Sequence, residues 1–310
     1  MDAVIVAGGI PQPHEPLYEY SNGQAKALID IAGKPMVQWV LDALGDAKTI
    51  DRVVVVGLTD KMGLKCRKPV AFVSNEGRLL ENLKSGTARV LELNPRAQYV
   101  VFVSSDIPAV TGPMVDWVVE TCRETKDDLY YNVIRREAME EQFPTSKRTY
   151  IRLKDLELCG GDLNVARARI VNENSEFWGK VLEARKNPAA QASLIGPDII
   201  FKFLFRSLTI DDVIQRVGDK LGLKGRAIMC PYPEIAMDVD KPHQLEIMRA
   251  FLGAMARRKP TVRKAAAKRG KGAPPRRTAA RKTPKRVPRK PAARPSPKTT
   301  ARPGPRRRSR

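Results

Sequence analysis

The sequence predicts an α/β fold: a three-layer, doubly wound, mainly parallel sheet followed by a disordered tail. Three observations predict it. Short continuous apolar runs alternate with helix-period segments over residues 3–125, the mark of strands buried on both faces with helices between them. The first run ends in a Gly-Gly turn, where open sheets of this kind meet ligands. Charge is sharply divided: Arg257 to Arg310 hold 23 Lys or Arg and no Asp or Glu, leaving 33 basic against 34 acidic residues in 1–256.

The elements follow in order. Ala3 to Ala7 is an apolar run, so a buried strand. Met36 to Leu44 carries Val37, Val40, Leu41 and Leu44 at helical spacing. Val53 to Val56 and Val70 to Val73 are strands, and Arg78 to Leu93 is the helix that follows. Tyr99 to Val103 is a strand and Pro113 to Thr125 its helix. This βαβα order requires right-handed crossovers between parallel strands. The second half is less regular. Leu129 to Ile134, Thr149 to Leu153, Ala227 to Cys230 and Ile235 to Val239 read as strands. Residues 176–185, 189–206 and 210–221 and Pro242 to Met255 read as helices.

The chain of 310 residues thus divides into a near-neutral domain, 1–256, and a basic tail, 257–310, of a protein whose net charge is +22. The tail holds ten prolines and few apolar side chains, so it cannot bury enough surface to offset its ordering entropy. Its Lys/Arg pairs, separated by Ala, Thr and Pro, resemble histone-H1-like tails. They suit nonspecific, salt-sensitive contact with nucleic acid or another polyanion, or serve solubility alone. The four cysteines form no CxxC and read as free thiols of a reducing cytosol. The most apolar segment, residues 199–205, is too short to span a bilayer and contains Lys202, so the protein reads as cytoplasmic, with no membrane partner.

Several constellations carry chemistry. Ala7-Gly8-Gly9 closes the first strand, where glycines let the backbone approach a phosphate and aim N–H groups at it; a plain strand-to-loop turn uses the same residues. Asp106, in Ser104-Ser105-Asp106-Ile107-Pro108, follows a buried strand at the ligand-binding edge. A hard carboxylate there suits Mg²⁺, or else caps a helix. Asp238 and Asp240 alternate on an expected strand and so face one side. Asp240 also precedes Pro242, where it can cap the last helix. Asn82 and Ser85 lie one helical turn apart, so both could reach one ligand. Cys159-Gly160-Gly161-Asp162-Leu163-Asn164 reads as a flexible polar loop between strands, with Cys159 a packed residue rather than a nucleophile.

The run from Ala25 to Leu44, KALIDIAGKPMVQWVLDAL after its first residue, together with the Ala7-Gly8-Gly9 turn, resembles the nucleotidyltransferases that activate sugars and cofactors. Those include sugar-phosphate transferases and MobA-like NTP transferases, with a GT-A-like fold. The resemblance implies a Mg²⁺-dependent transfer of a nucleoside monophosphate from an NTP to a phosphorylated sugar or cofactor, with release of pyrophosphate. It assigns Lys26 to the phosphates and Lys34 to a structural turn. It assigns Asp106 and Asp240 to the metal, with Asp238 the lesser candidate. Asn82 and Ser85 fall to the base, and Gly161, Asp162 and Asn164 to the acceptor. Residues 10–25 depart from the family pattern. They contain no Arg or Lys where the family's loop carries an Arg, and His14 is a partial substitute or simply exposed. Two other classes remain open on the sequence: a degenerate nucleotide-binding regulator, and a DNA-associated protein acting through its tail.

Overall fold

The computed structural model describes residues 1–171, 173, 178–180, 202 and 207–258. Apart from residues 178–180 and 202, the helices expected over 176–185 and 189–206 and the apolar segment 199–205 lie outside the described residues, as does nearly all of the basic tail.

The chain opens with β1 (Asp2–Val6), the short helix α1 (Tyr18–Ser21), and the hairpin β2 (Asp30–Ile31) and β3 (Lys34–Pro35). Helix α2 (Met36–Asp46), β4 (Arg52–Val56), β5 (Val70–Val73), α3 (Leu79–Leu93), β6 (Tyr99–Ser104) and α4 (Gly112–Arg123) follow. The second half contributes β7 (Leu129–Arg135), α5 (Arg136–Gln142), β8 (Ile151–Arg152), β9 (Glu157–Gly160) and β10 (Leu163–Arg167). Helix α6 (Ile210–Leu221), β11 (Gly225–Met229) and α7 (Pro242–Arg258) complete the described chain.

The main sheet is ordered β5-β4-β1-β6-β10-β7-β9-β8, with β11 also paired to β7. The β5, β4, β1 and β6 ladders are parallel, β10 is antiparallel to both β6 and β7, and β11 is parallel to β7. Alternation along the strands serves two layers of helices. Ala3, Ile5, Val53, Val55, Val101 and Val103 face a core built with α2, α4 and α7. Val4, Val54, Val56 and Val100 face the opposite side, against Val90 of α3. Gly86 of α3 lets that helix close on the sheet, since a Cβ there would lie 2.6 Å from a Val4 methyl. Helix α6 covers a smaller cluster with Val133, Leu153 and Leu158. It begins in a reciprocal capping box between Thr209 and Asp212.

The expected strand over 235–239 does not form. Pro233 opens a 3₁₀ turn, Pro233–Ala236, which buries Ile235 and Ala236 in the core, and the chain then runs past the sheet without joining it. Apolar alternation there reflects burial of a turn rather than of a ladder. The strand expected over 149–153 shortens to the two residues of β8. The last helix runs to Arg258, two residues beyond the expected domain end.

Candidate functional site

Because β1, β4, β5 and β6 run parallel, their carboxyl ends share one edge, which receives Ala7-Gly8-Gly9, Gly57, Asn75 and Asp106. The glycine turn is fixed from three sides. Gly57 has φ +95, and a Cβ on it would lie 2.2 Å from the Gly8 Cα, so this crossing of two chains admits no side chain. Asn75 Nδ2 donates to the Gly8 carbonyl at 2.8 Å, and a Cβ on Gly8 would lie 2.6 Å from Asn75 Cγ. Lys26 N–H donates to the Gly9 carbonyl at 2.8 Å. Carbonyls thus turn into the protein. Among the described residues, the N–H groups of Gly8 and Gly9 donate to no oxygen.

Asn82 lies behind this loop. Its Oδ1 accepts from Glu76 N–H at 2.7 Å and its Nδ2 donates to Asn75 Oδ1 at 3.0 Å, so Asn82 braces the segment that holds Gly8. Ser85 Oγ is buried and without a hydrogen-bond partner. His14 is exposed on the long loop. Lys34 pairs with Asp42 at 2.5 Å and sits 4.4 Å from the Trp39 ring centre, as befits a structural turn.

The charged centre is built from three distant parts of the chain. Lys26 begins the 3₁₀ turn Lys26–Leu28, and its Nζ lies 2.5 Å from Asp106 Oδ2 and 2.6 Å from Asp240 Oδ1. Burial alone would disfavour the ammonium, but the charges of Asp106 and Asp240 outweigh it and hold its pKa above the ordinary lysine range. Asp106 is buried, and its other oxygen accepts from Ser104 Oγ at 2.5 Å. Asp240 is brought alongside by one backbone bond, from Val239 N–H to the Asp106 carbonyl at 3.0 Å. Gln244 Oε1 takes the N–H groups of Asp240 and Lys241, both at 2.9 Å, at the start of α7, while the Asp240 carboxylate turns to Lys26. Asp238 does not share that direction. Without a strand beneath it the expected alternation is lost, and Asp238 forms an ion pair with Arg148.

The Gly161–Asn164 segment is a braced bulge, not the flexible loop its composition suggests. β7 pairs with β9 through Val133↔Gly160 and with β10 through Tyr130↔Val165. Between those pairs β7 has two residues and its partner four, so β9 and β10 run as one strand interrupted by two extra residues. Asn132 and Asn164 fill the break. Asn132 Nδ2 donates to the Leu163 carbonyl at 2.7 Å, Asn164 Nδ2 to the Gly161 carbonyl at 2.9 Å, and Asn164 Oδ1 accepts from Asn132 N–H at 2.8 Å. A Cβ on Gly161 would crowd Ile134 and Ile235, both at 3.1 Å. Asp162 is tied by its backbone to Ser104 and Ile235, each bond 2.9 Å. Burial, then the charges of Asp106 and Asp240, push its carboxyl up to about 7 against the opposing pull of Arg148 and Lys26. Burial likewise raises the Cys159 thiol, as expected of a packed residue. All four cysteines are free.

The fold therefore gathers Lys26, Asp106 and Asp240 about one point beside the glycine turn, leaves Asp162 near enough to feel their charges, and spends Asn82 and Asn164 on the scaffold. Gly57 and Arg148 escaped the sequence reading. Gly57 follows an apolar strand, a signal that could have found it; Arg148 sits in an irregular stretch with no signal. Among the described residues, no group of three or more His, Cys, Asp or Glu is arranged to hold a metal ion, and no helix is long and apolar enough to cross a membrane.

Residues 3–176 match the family model described as the MobA-like NTP transferase domain. A solved structure described as a hypothetical transferase from Thermus thermophilus is 33% identical, covering 79% of this chain and 98% of that one, with a TM-score of 0.67. The 3-deoxy-manno-octulosonate cytidylyltransferase of Geobacter sulfurreducens is 33% identical over 101 residues, 32% of this chain and 39% of the relative. The mitochondrial enzyme of that name from Arabidopsis thaliana is 27% identical over 121 residues, 38% of this chain and 41% of the relative. The chain thus spans about two fifths of the length of these curated relatives. With this model matched over more than half of its length, the chain belongs to the MobA-like NTP transferase domain family.

Proposed function

We propose that this chain transfers a nucleoside monophosphate from an NTP to a phosphorylated or sugar-type acceptor, with release of pyrophosphate. The observation that carries the reading is the Lys26 ammonium held between two carboxylates beside a glycine turn whose N–H groups are unspent. Those N–H groups and Lys26 form a cradle for polyphosphate oxygens. An acceptor oxygen attacks the α-phosphorus, the bond from that phosphorus to the β-phosphate bridging oxygen breaks, and pyrophosphate leaves with the electron pair. Lys26 stabilises charge that builds on the phosphates during this step.

Asp106 Oδ2 and Asp240 Oδ1 are hard oxygen donors close enough to share one cation, a donor set that fits Mg²⁺. When bound there, the ion supplies charge neutralisation at the phosphates. Asp162 lies in the bulge near enough to feel the charges of Asp106, Asp240 and Lys26, and with Gly161 it is assigned here to an acceptor hydroxyl. The names of the curated relatives make CTP the first nucleotide to test and 3-deoxy-manno-octulosonate a natural acceptor beside sugar phosphates.

The test is pyrophosphate release from each NTP with Mg²⁺ and a panel of such acceptors. Asp106→Ala and Asp240→Ala should each abolish turnover while keeping a cooperative melt. Full activity in both variants, or no pyrophosphate from any NTP and acceptor pair, would overturn the reading.

A further inference from the structure

Resting on the metal-dependent reading of this site, we infer that Lys26 is the resident cation of the nucleotide-free site, and that a divalent ion must evict it from both carboxylates before binding there. The geometry leaves one place for one cation. Lys26 Nζ is 2.5 Å from Asp106 Oδ2 and 2.6 Å from Asp240 Oδ1. An ion coordinating both oxygens at about 2.1 Å would occupy nearly the same point. Two cations at that separation repel strongly in a partly desolvated setting.

The eviction needs no backbone movement. Lys26 N–H is bonded to the Gly9 carbonyl, and the 3₁₀ turn Lys26–Leu28 is closed by Ile29 N–H on the Lys26 carbonyl at 3.1 Å, so only side-chain torsions change. The displaced ammonium then requires another anion. The nearest cradle for one is the glycine turn, to which the same residue is tied. A triphosphate seated there supplies the anion. Lys26 thereby couples the two ligands: metal alone binds against a competitor, while metal with triphosphate binds with that competitor re-employed. The coupling is reciprocal, as any linkage between two binding equilibria must be. Asp240 is half-exposed, which softens the competition through solvent screening.

The test is Mn²⁺ binding to the full chain, followed by electron paramagnetic resonance and calorimetry, with and without a non-hydrolysable NTP analogue. Wild type should bind Mn²⁺ weakly alone and more tightly with the analogue. Lys26→Gln should bind Mn²⁺ alone about tenfold tighter than wild type, because the competing charge is gone. It should also lose most of the tightening by the analogue. Adding Asp240→Asn to Lys26→Gln should erase the gained affinity, which ties it to these carboxylates. Circular dichroism melts confirm that each variant is folded. Unchanged or weaker Mn²⁺ affinity in Lys26→Gln overturns the inference, as does a gain that survives Asp240→Asn. Neither readout needs turnover, so a chain that transferred no nucleotide would still report on Lys26. A chain that transferred nucleotide without the Mn²⁺ shift would refute only the role given to Lys26 here.

Discussion

Replacing Asp162 by Asn changes one titrating group at nearly constant shape, and its effect should depend on pH. In the native state the Asp162 carboxyl is pushed up to about 7, first by burial and then by Asp106, from an ordinary value of 3.8. Between these values the folded protein holds a proton that the unfolded chain has released, so stability falls as pH rises through this window. From pH 5 to pH 7 the loss would be about 3 kcal/mol at about 1.4 kcal/mol per unit if the full shift applied. Asp162 is only partly buried and Arg148 and Lys26 lie near, so about 1–2 kcal/mol is the reasonable expectation. Asn cannot ionise, so the variant lacks this slope. Urea denaturation of both proteins at pH 5 and pH 8 measures it. The variant should gain about 1–2 kcal/mol relative to wild type on moving to pH 8. A stability difference that is the same at both pH values would refute the assignment of a raised carboxyl to this site.

Two further outcomes follow from the same edge of the sheet. Gly57→Ala should destabilise the fold by about 3 kcal/mol, since it combines a positive φ with a Cβ set against the Gly8 backbone; urea melts read the loss, and nucleotide affinity should fall with it. Lys26→Ala, assayed with saturating Mg²⁺, should weaken triphosphate binding by about tenfold to a hundredfold and leave nucleoside binding nearly unchanged, because a charge on the phosphates does not sense the base; equal losses would make Lys26 a scaffold residue.

The parallel half of the fold was legible because its strands are buried on both faces. Val53 to Val56 are all fully buried, as four consecutive valines in a strand covered on both faces should be. Lys26, Asp106 and Asp240 were picked out by the family resemblance, Asp106 and Asp240 also by their place at expected strand ends, and the fold brings the three side chains together. The rest failed at places where one pattern has two causes. Ile235 and Ala236 are as buried as strand residues, yet Pro233 commits them to a 3₁₀ turn. The spacing of Asn82 and Ser85 fits a shared ligand, but the Asn82 amide is consumed by Glu76 and Asn75, partners it meets only after α3 folds back on the loop. Arg148 pairs with Asp238 across 90 residues of chain, and no local pattern encodes that meeting.

The two-residue excess between β9 and β10 has a consequence in parity. Cys159, Leu163 and Val165 all face the same core as Ile134 and Tyr130, while Leu158 and Val133 face the other. Side chains alternate with period two, so an even insertion restores each later residue to its own face, whereas an odd one would turn Leu163 and Val165 out toward the opposite layer. The length of this segment can therefore change only in steps of two without inverting the strand that follows. The segment that carries Asp162 can grow or shrink by pairs of residues, and the sheet beneath it will not register the difference.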